Sequence, residues 1–255
     1  MLQRERLEEI RKIIRIKKEV SVSELSRQYN VTEETIRRDL DKLKAEGLVS
    51  RTYGGAVLAA DNSAEKLDYI LRAQTHVEEK HLIAELASTV IPEKAAIGAD
   101  ASSTVMETIR AIGKRPEITL LTNSVRVLGD IAQIDLKLIL TGGAVNRGTC
   151  SMQGTRALQS LNDYFLDIVL ISCKALNLSG GIFDSNEEEA LWKKRLIERG
   201  QKIILLADHS KFDRSAFVEI MSLDQVDILV TDREPSPEWK RILKEKNVRL
   251  ICRKE

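Results

Sequence analysis

Four short clusters in this sequence combine hydroxyls, amides and glycines in the way that anion binding requires. They are Asp100-Ala101-Ser102-Ser103-Thr104, Thr122-Asn123-Ser124, Thr141-Gly142-Gly143 and Asp208-His209-Ser210-Lys211. Backbone N–H groups at a helix N-terminus, with hydroxyls beside them, hold a phosphate, and Lys211 adds a point charge. Any one of these loops alone reads as an ordinary helix cap, since Ser, Thr, Asn and Asp are common N-caps. Four on one sheet edge point to an anion site. General acid–base chemistry would need a carboxylate facing a partner, and the only set on offer is Asp100 or Glu189 with Lys211. In Asn186-Glu187-Glu188-Glu189 the asparagine reads as an N-cap, with Glu187 and Glu188 at the positive end of a helix; Glu189 stays a candidate site residue. A third chemistry is suggested by NVTEETIRRDL, residues 30–40, where Arg37 and Arg38 are adjacent. Paired arginines suit a phosphate backbone or an ion-paired, solvated face.

Three helical segments surround those arginines. The first, Leu2 to Lys17, places Leu7, Ile10, Ile13 and Ile14 on one stripe. After a break at Lys18 to Val20, Ser21 and Glu24 have capping-box spacing before a two-turn helix from Val22 to Gln28. Tyr29, Asn30 and Val31 make a tight turn with Asn30 left-handed. The third helix starts at the N-cap Thr32 and stops at Gly47. Its Ile36, Leu40 and Leu43 face a core, and Glu34, Arg38 and Asp41 lie opposite, flanked by Thr35 and Arg37. A helix, a short turn and a helix with a polar outer face is helix-turn-helix geometry. LVSRTYGGAV then reads as a β-hairpin wing, with Arg51 and Tyr53 placed to touch phosphate and sugar. The candidate DNA contacts are Ser21, Thr32, Glu34, Thr35, Arg37, Arg38, Arg51 and Tyr53.

The remaining chain alternates apolar runs with helical patterns. Strands are expected at AAIGAD (95–100), ITLLTN (118–123), LKLILTGG (136–143), DIVLISCKA, KIILLAD and DILVTD, with helices at SSTVMETIRAI, SVRVLGDIAQ and Glu187 to Arg199. Continuous apolar strands between helices imply a largely parallel sheet covered on both faces, which takes ligands beyond the carboxyl ends of its strands. The 255 residues accommodate a small domain plus a medium one. The expected boundaries are a DNA-binding domain at 1–57, a partly helical linker at 58–74 and an effector-binding α/β domain at 75–255.

Totals decide less. Residues 1–56 carry 13 basic against 10 acidic side chains and the rest 27 against 29, an asymmetry too small to demand or exclude nucleic acid. No apolar run approaches a membrane span of about 18–20 residues, and the charged start of the chain is unlike a signal peptide. Cys150, Cys173 and Cys252, odd in number and far apart, read as reduced thiols of a cytoplasmic protein. His76 and His81 point to different helix faces and His209 is distant, so no metal site and no cofactor is expected.

The stretch SVSELSRQYNVTEETIRRDLDKLKAEGLVSRTYGGAV resembles the N-terminal winged helix of the DeoR family of bacterial transcriptional repressors, including the TIRRDL core and the GGA after the wing. IGADASSTVMETI, LLTNS, LTGGAVN and NLSGGIFDSNEEEALWKKRLIERGQKIILLADHSKF extend the resemblance over nearly the whole chain. It implies a second domain similar to ribose-5-phosphate isomerase-type folds that senses a phosphorylated sugar or polyol. The candidate effector contacts are Asp100, Ser102, Ser103, Thr104, Thr122, Asn123, Ser124, Gly142, Gly143, Glu189 and Lys211, with Lys174 either an extra ligand contact, the favoured reading, or a surface lysine. Two departures stand out. Ser102-Ser103-Thr104 replaces the family's Gly-Thr-Thr, and Lys174 brings charge to the mouth, which implies an effector with extra negative charge or weaker effector binding. The expected function is an effector-controlled repressor of a carbohydrate-utilisation operon, binding operator DNA as a homodimer or homotetramer. The competing readings are a sugar-phosphate isomerase-like enzyme carrying a DNA-binding domain, and a helix-turn-helix used only for protein contacts.

Overall fold

The computed structural model describes residues 3–17, 19–46, 48–52, 54–58, 69 and 72–253. The chain divides into two compact units, Met1–Asp68 and Tyr69–Glu255. Gly47, Tyr53 and most of the 58–74 linker lie outside the described residues, as does the side chain of Arg51.

In the first unit, helices α1 (Gln3–Lys17), α2 (Val22–Tyr29) and α3 (Glu33–Ala45) pack around Ile10, Ile14, Leu25, Ile36, Leu40, Leu43 and Leu48. Each such side chain removed from water contributes about 1.5–3 kcal/mol. A buried ion pair, Arg6 Nε to Asp39 Oδ2 at 2.6 Å, ties α1 to α3. Asn30 is left-handed, with φ 50 and ψ 51. Its turn is closed by Val31 N–H donating to Ser26 O at 3.1 Å and by Ser26 Oγ donating to Val31 O at 2.6 Å.

Two local expectations are corrected. The break before α2 contains a strand, β1 (Glu19–Ser21), which joins β2 (Val49–Arg51) and β3 (Gly55–Leu58) in an antiparallel sheet ordered β1-β3-β2. Ser21 ends that strand, and its Oγ pairs with Ser23 Oγ at 2.8 Å instead of capping α2. The wing's glycine has a steric reason, because a Cβ on Gly55 would fall 1.9 Å from the Val20 carbonyl oxygen.

The second unit is built on seven parallel strands ordered β15-β14-β12-β9-β4-β5-β6. These are β4 (Ala95–Ala99), β5 (Ile118–Thr122), β6 (Lys137–Leu140), β9 (Leu166–Ser172), β12 (Gly200–Leu206), β14 (Ile228–Thr231) and β15 (Arg249–Cys252). Alternate residues serve opposite faces. Ile168, Leu170, Ile204 and Leu206 pack under α4 (Val77–Ser88) and α5 (Ser103–Ile112). Val169, Ile171 and Leu205 pack under α6 (Thr155–Ser160), α7 (Glu187–Ile197) and α8 (Pro237–Glu245). Burial on both sides is what makes these strands read as continuous apolar runs.

The additions to this sheet were not foreseen. A hairpin of β7 (Ala144–Asn146) and β8 (Ser151–Gln153), and a small antiparallel sheet of β10 (Ala175–Leu176), β11 (Gly181–Asp184) and β13 (Val218–Ser222), stand outside it. The SVRVLGDIAQ segment is a 3₁₀ helix at Arg126–Gln133 rather than an α-helix. Gly129, a poor helix former, sits in its middle, and only Val127 of its residues is buried, so no apolar stripe holds a longer helix. Among the described residues no helix is long and apolar enough to cross a membrane.

Candidate functional site

On the first unit the arginines project outward. Thr32 caps α3, its Oγ1 accepting from Thr35 N–H at 3.2 Å and lying 2.9 Å from Thr35 Oγ1. With Ile36, Leu40 and Leu43 buried, Arg37 and Arg38 are left exposed. Arg37 Nη2 meets Glu33 Oε2 at 2.7 Å and Arg38 Nε meets Glu34 Oε1 at 3.5 Å. Helix-surface pairs of this kind are worth only about 0.3–0.5 kcal/mol, so phosphate oxygens can displace the glutamates. Ser21 and Thr35 are half-buried at the edges of this face, and Arg51 lies on β2.

In the second unit the sheet order reverses at β4, which has β5 on one side and β9 on the other. That reversal opens a crevice at the carboxyl ends of the strands. Because β12, β9, β4, β5 and β6 are consecutive in the sheet, the loops carrying Asp208, Lys174, Asp100, Asn123 and Gly142 fall side by side along one edge.

Asp100 organises the first loop. Its Oδ1 accepts from Ser102 N–H at 2.9 Å and from Ser102 Oγ at 2.5 Å, and its Oδ2 accepts from Ser172 N–H at 3.3 Å. Ser102 therefore spends its hydroxyl on Asp100 and makes no side-chain cap for α5. The buried hydroxyl residues Ser103 and Thr104 form the first turn of that helix. The second loop turns inward: Thr122 Oγ1 accepts from Ser124 N–H at 3.1 Å, and Asn123 Nδ2 donates to Met152 O at 3.2 Å. Asn123 Oδ1 is buried without a hydrogen-bond partner, an acceptor that a ligand hydroxyl can satisfy. Gly142 and Gly143 have φ 69 and 110, and a Cβ on Gly143 would lie 2.6 Å from Gln153 O. The glycine pair thus lets the loop close on the β7–β8 hairpin.

The ammonium among the carboxylates is that of Lys193, which the sequence reading did not single out. Its Nζ lies 2.5 Å from Asp184 Oδ2 and 3.0 Å from Asp100 Oδ2, and donates to Ser172 O at 2.8 Å. Burial alone would lower its pKa; Asp100, Asp184 and Glu189 outweigh that and hold it protonated. Burial pushes the Glu189 carboxyl up, against the pull of Lys193 and Arg72. Asp184 is held below the usual range because Lys193 and the Ser185 N–H overcome its own desolvation. Arg72 Nη1 stands 3.8 Å from Glu189 Oε2. The available signal was positional, since Lys193 falls on the face of α7 that also buries Ala190 and Leu196. Lys211 instead lies 3.6 Å from Asp208 Oδ2, and Lys174 is exposed just beyond β9, its N–H donating to Phe183 O at 2.9 Å. Beside them Cys173 is buried, which pushes its thiol up to about 12.

The comparisons with known proteins agree across the chain. A DeoR-like helix-turn-helix domain matches residues 6–62 and a DeoR C-terminal sensor domain matches residues 75–233. The uncharacterised HTH-type transcriptional regulator YulB of Bacillus subtilis is 37% identical over 99% of this chain and 97% of its own. The HTH-type transcriptional repressor GlcR of the same organism is 30% identical, over 98% and 96%. The glycerol-3-phosphate regulon repressor of Escherichia coli is 28% identical, over 91% and 92%. Ribose 5 phosphate isomerase A from Neisseria gonorrhoeae is a distant likeness, with TM-score 0.41 and 21% identity over 55% of this chain and 56% of that one, and it carries nothing about activity. With both of its units matched and a relative 37% identical over 99% of its length, the chain belongs to the DeoR family of transcriptional regulators, a family of DNA-binding sensors rather than of enzymes.

Proposed function

We propose that this regulator represses a carbohydrate-utilisation operon and that a phosphorylated sugar or polyol, bound at the carboxyl edge of the parallel sheet, modulates its hold on operator DNA. The carrying observation is the union in one chain of an outward-facing arginine helix with a sheet edge on which hydroxyl- and glycine-rich loops sit side by side. Relatives named for a glycerol-3-phosphate regulon and as repressors support the effector class. In this reading Arg37, Arg38 and Arg51 meet phosphates and Thr35 and Glu34 face base edges. The effector's phosphate sits on the first turn of α5, at Ser102, Ser103 and Thr104. Asn123 and Glu189 meet its hydroxyls, and Lys174 and Lys211 supply charge. One recognition helix reads one half-site, so the working form is a homodimer or homotetramer, in the cytoplasm where operator DNA is found.

Thermal unfolding against a panel of phosphorylated sugars and polyols, each beside its unphosphorylated form, tests this directly. A ligand that binds only the folded state raises the melting temperature with its concentration. The expected result is a shift from one phosphorylated compound and none from its unphosphorylated partner, together with a change in operator affinity. Equal shifts from both forms would remove the phosphate from the reading.

A further inference from the structure

Three metal-type ligands converge in the second unit from separate stretches of chain. His76 immediately precedes α4, Glu79 lies in its first turn, and His209 follows β12. One ligand atom from each lies within 4.8 Å of the others. By sequence spacing His76 and His81 fall on different faces of a helix and His209 is distant, so no such group is expected. His81 does go elsewhere, its Nε2 lying 3.2 Å from Glu107 Oε2, and the fold brings His209 in its place.

The spacing and the supports are those of a prepared site. His76 Nδ1 and Glu79 Oε1 are 3.3 Å apart. Two donors bound at about 2.0–2.1 Å to one tetrahedral ion stand about 3.3–3.4 Å from each other. His209 Nδ1 lies 2.7 Å from Asp232 Oδ2, and its backbone N–H donates to Asp232 Oδ1 at 2.7 Å. A carboxylate behind an imidazole in this way fixes the ring and its tautomer, and leaves Nε2 to face a ligand. The two imidazoles meet edge to face, with centroids 5.5 Å apart and planes at 83°. His76 holds a left-handed backbone, φ 54, unusual outside glycine. Its segment is pinned because Lys80 Nζ donates to the carbonyls of Arg72 and Thr75, while Lys80 N–H donates to His76 O. All three ligands are half-buried, so an ion can enter from solvent and keep a position for water or an oxyanion. Asp208 and Lys211 lie on the same loop as His209, which places the cluster beside the sheet edge described above.

We propose that His76, Glu79 and His209 bind a divalent transition-metal ion of the zinc type, with Asp232 as the outer partner of His209. Two imidazoles and one carboxylate suit zinc and its neighbours better than calcium or magnesium, which prefer all-oxygen sites. The site does not depend on the identity of the sugar effector. Its test therefore uses the metal alone.

Untagged full-length protein, stripped with a chelator, is titrated with Zn²⁺ against a chromophoric competitor. One ion per chain is expected, with a raised melting temperature and, for Co²⁺, the visible bands of a tetrahedral complex. His76→Ala and His209→Ala should each weaken binding at least tenfold, and Asp232→Asn about 10–100-fold. Binding that is not saturable, or that is unchanged in both histidine variants, marks an adventitious ion only and overturns the proposal. If a variant fails to fold, imidazole ¹⁵N spectra of the wild-type protein decide. Zn²⁺ should move the resonances of His76 and His209 and leave His81 in place; movement of His81 alone, or of none, overturns it.

Discussion

The two units use charge in opposite ways. On α3 of the first unit, Arg37 and Glu33 pair with about half of each side chain exposed, 47% and 48%. In the second, Lys193 and Asp100 pair with 5% and 1% exposed. Water screens the first kind of pair, so it is weak and exchangeable, as the proposed DNA contact requires. The second kind is desolvated, and neither partner can leave without stranding the other. Exchangeability characterises the exposed face of α3, and permanence the buried group that links β9, α7 and the loop after β4.

This contrast breaks most visibly at Lys193. Lys193→Met strands Asp100 and Asp184 in the interior and should destabilise the second unit by about 3–5 kcal/mol, measured by denaturant unfolding. A loss below 1 kcal/mol, as for an exposed pair, would erase the distinction between the units. Next in size is the double change Arg37→Ala, Arg38→Ala. Stability should stay within about 0.5 kcal/mol of wild type. The slope of log affinity for operator DNA against log salt should fall by about one for each phosphate contact removed. An unchanged slope with unchanged affinity would take these arginines off the DNA.

The smallest effect sharpens the picture inside the buried group. Glu189 and Asp184 are shifted in opposite directions. Asp184, held low, contributes stability that is present above the unfolded-state value of about 3.9 and is lost as pH falls through its folded value. Glu189, pushed up, contributes most when protonated, and that contribution is lost as pH rises through its folded value. Glu189→Gln should therefore leave the melting temperature unchanged or raise it near neutrality, with the benefit fading toward pH 4. A clear loss at neutral pH would make the Glu189 carboxylate part of the scaffold, on the side of Lys193.

Much of this was legible in the residues. The left-handed turn at Asn30, the cap at Thr32 and the inward stripe of Ile36, Leu40 and Leu43 are local signals, set by backbone sterics and a period of 3.6 residues. The inner strands β4, β5, β9, β12 and β14 were visible as apolar runs because both their faces are covered, whereas the edge strand β15, half-buried at best, was not foreseen. The strand β1 escaped because three residues of mixed burial carry no period, and they become a strand only when β3 pairs with them. Ser21 lost its expected cap in the same step.

By itself, then, the sequence determined the three helices of the first unit, the inner strands of the large sheet, the outward face of α3 and the loops that end those strands, because periodicity, capping and turn chemistry act over a few residues. Only the tertiary structure decided which strand ends became neighbours, that Lys193 would stand between Asp100 and Asp184, and that His209 would meet His76. Those outcomes depend on the order of strands in the sheet and on which side chains lose their water when it packs, and neither is written in any local run of residues.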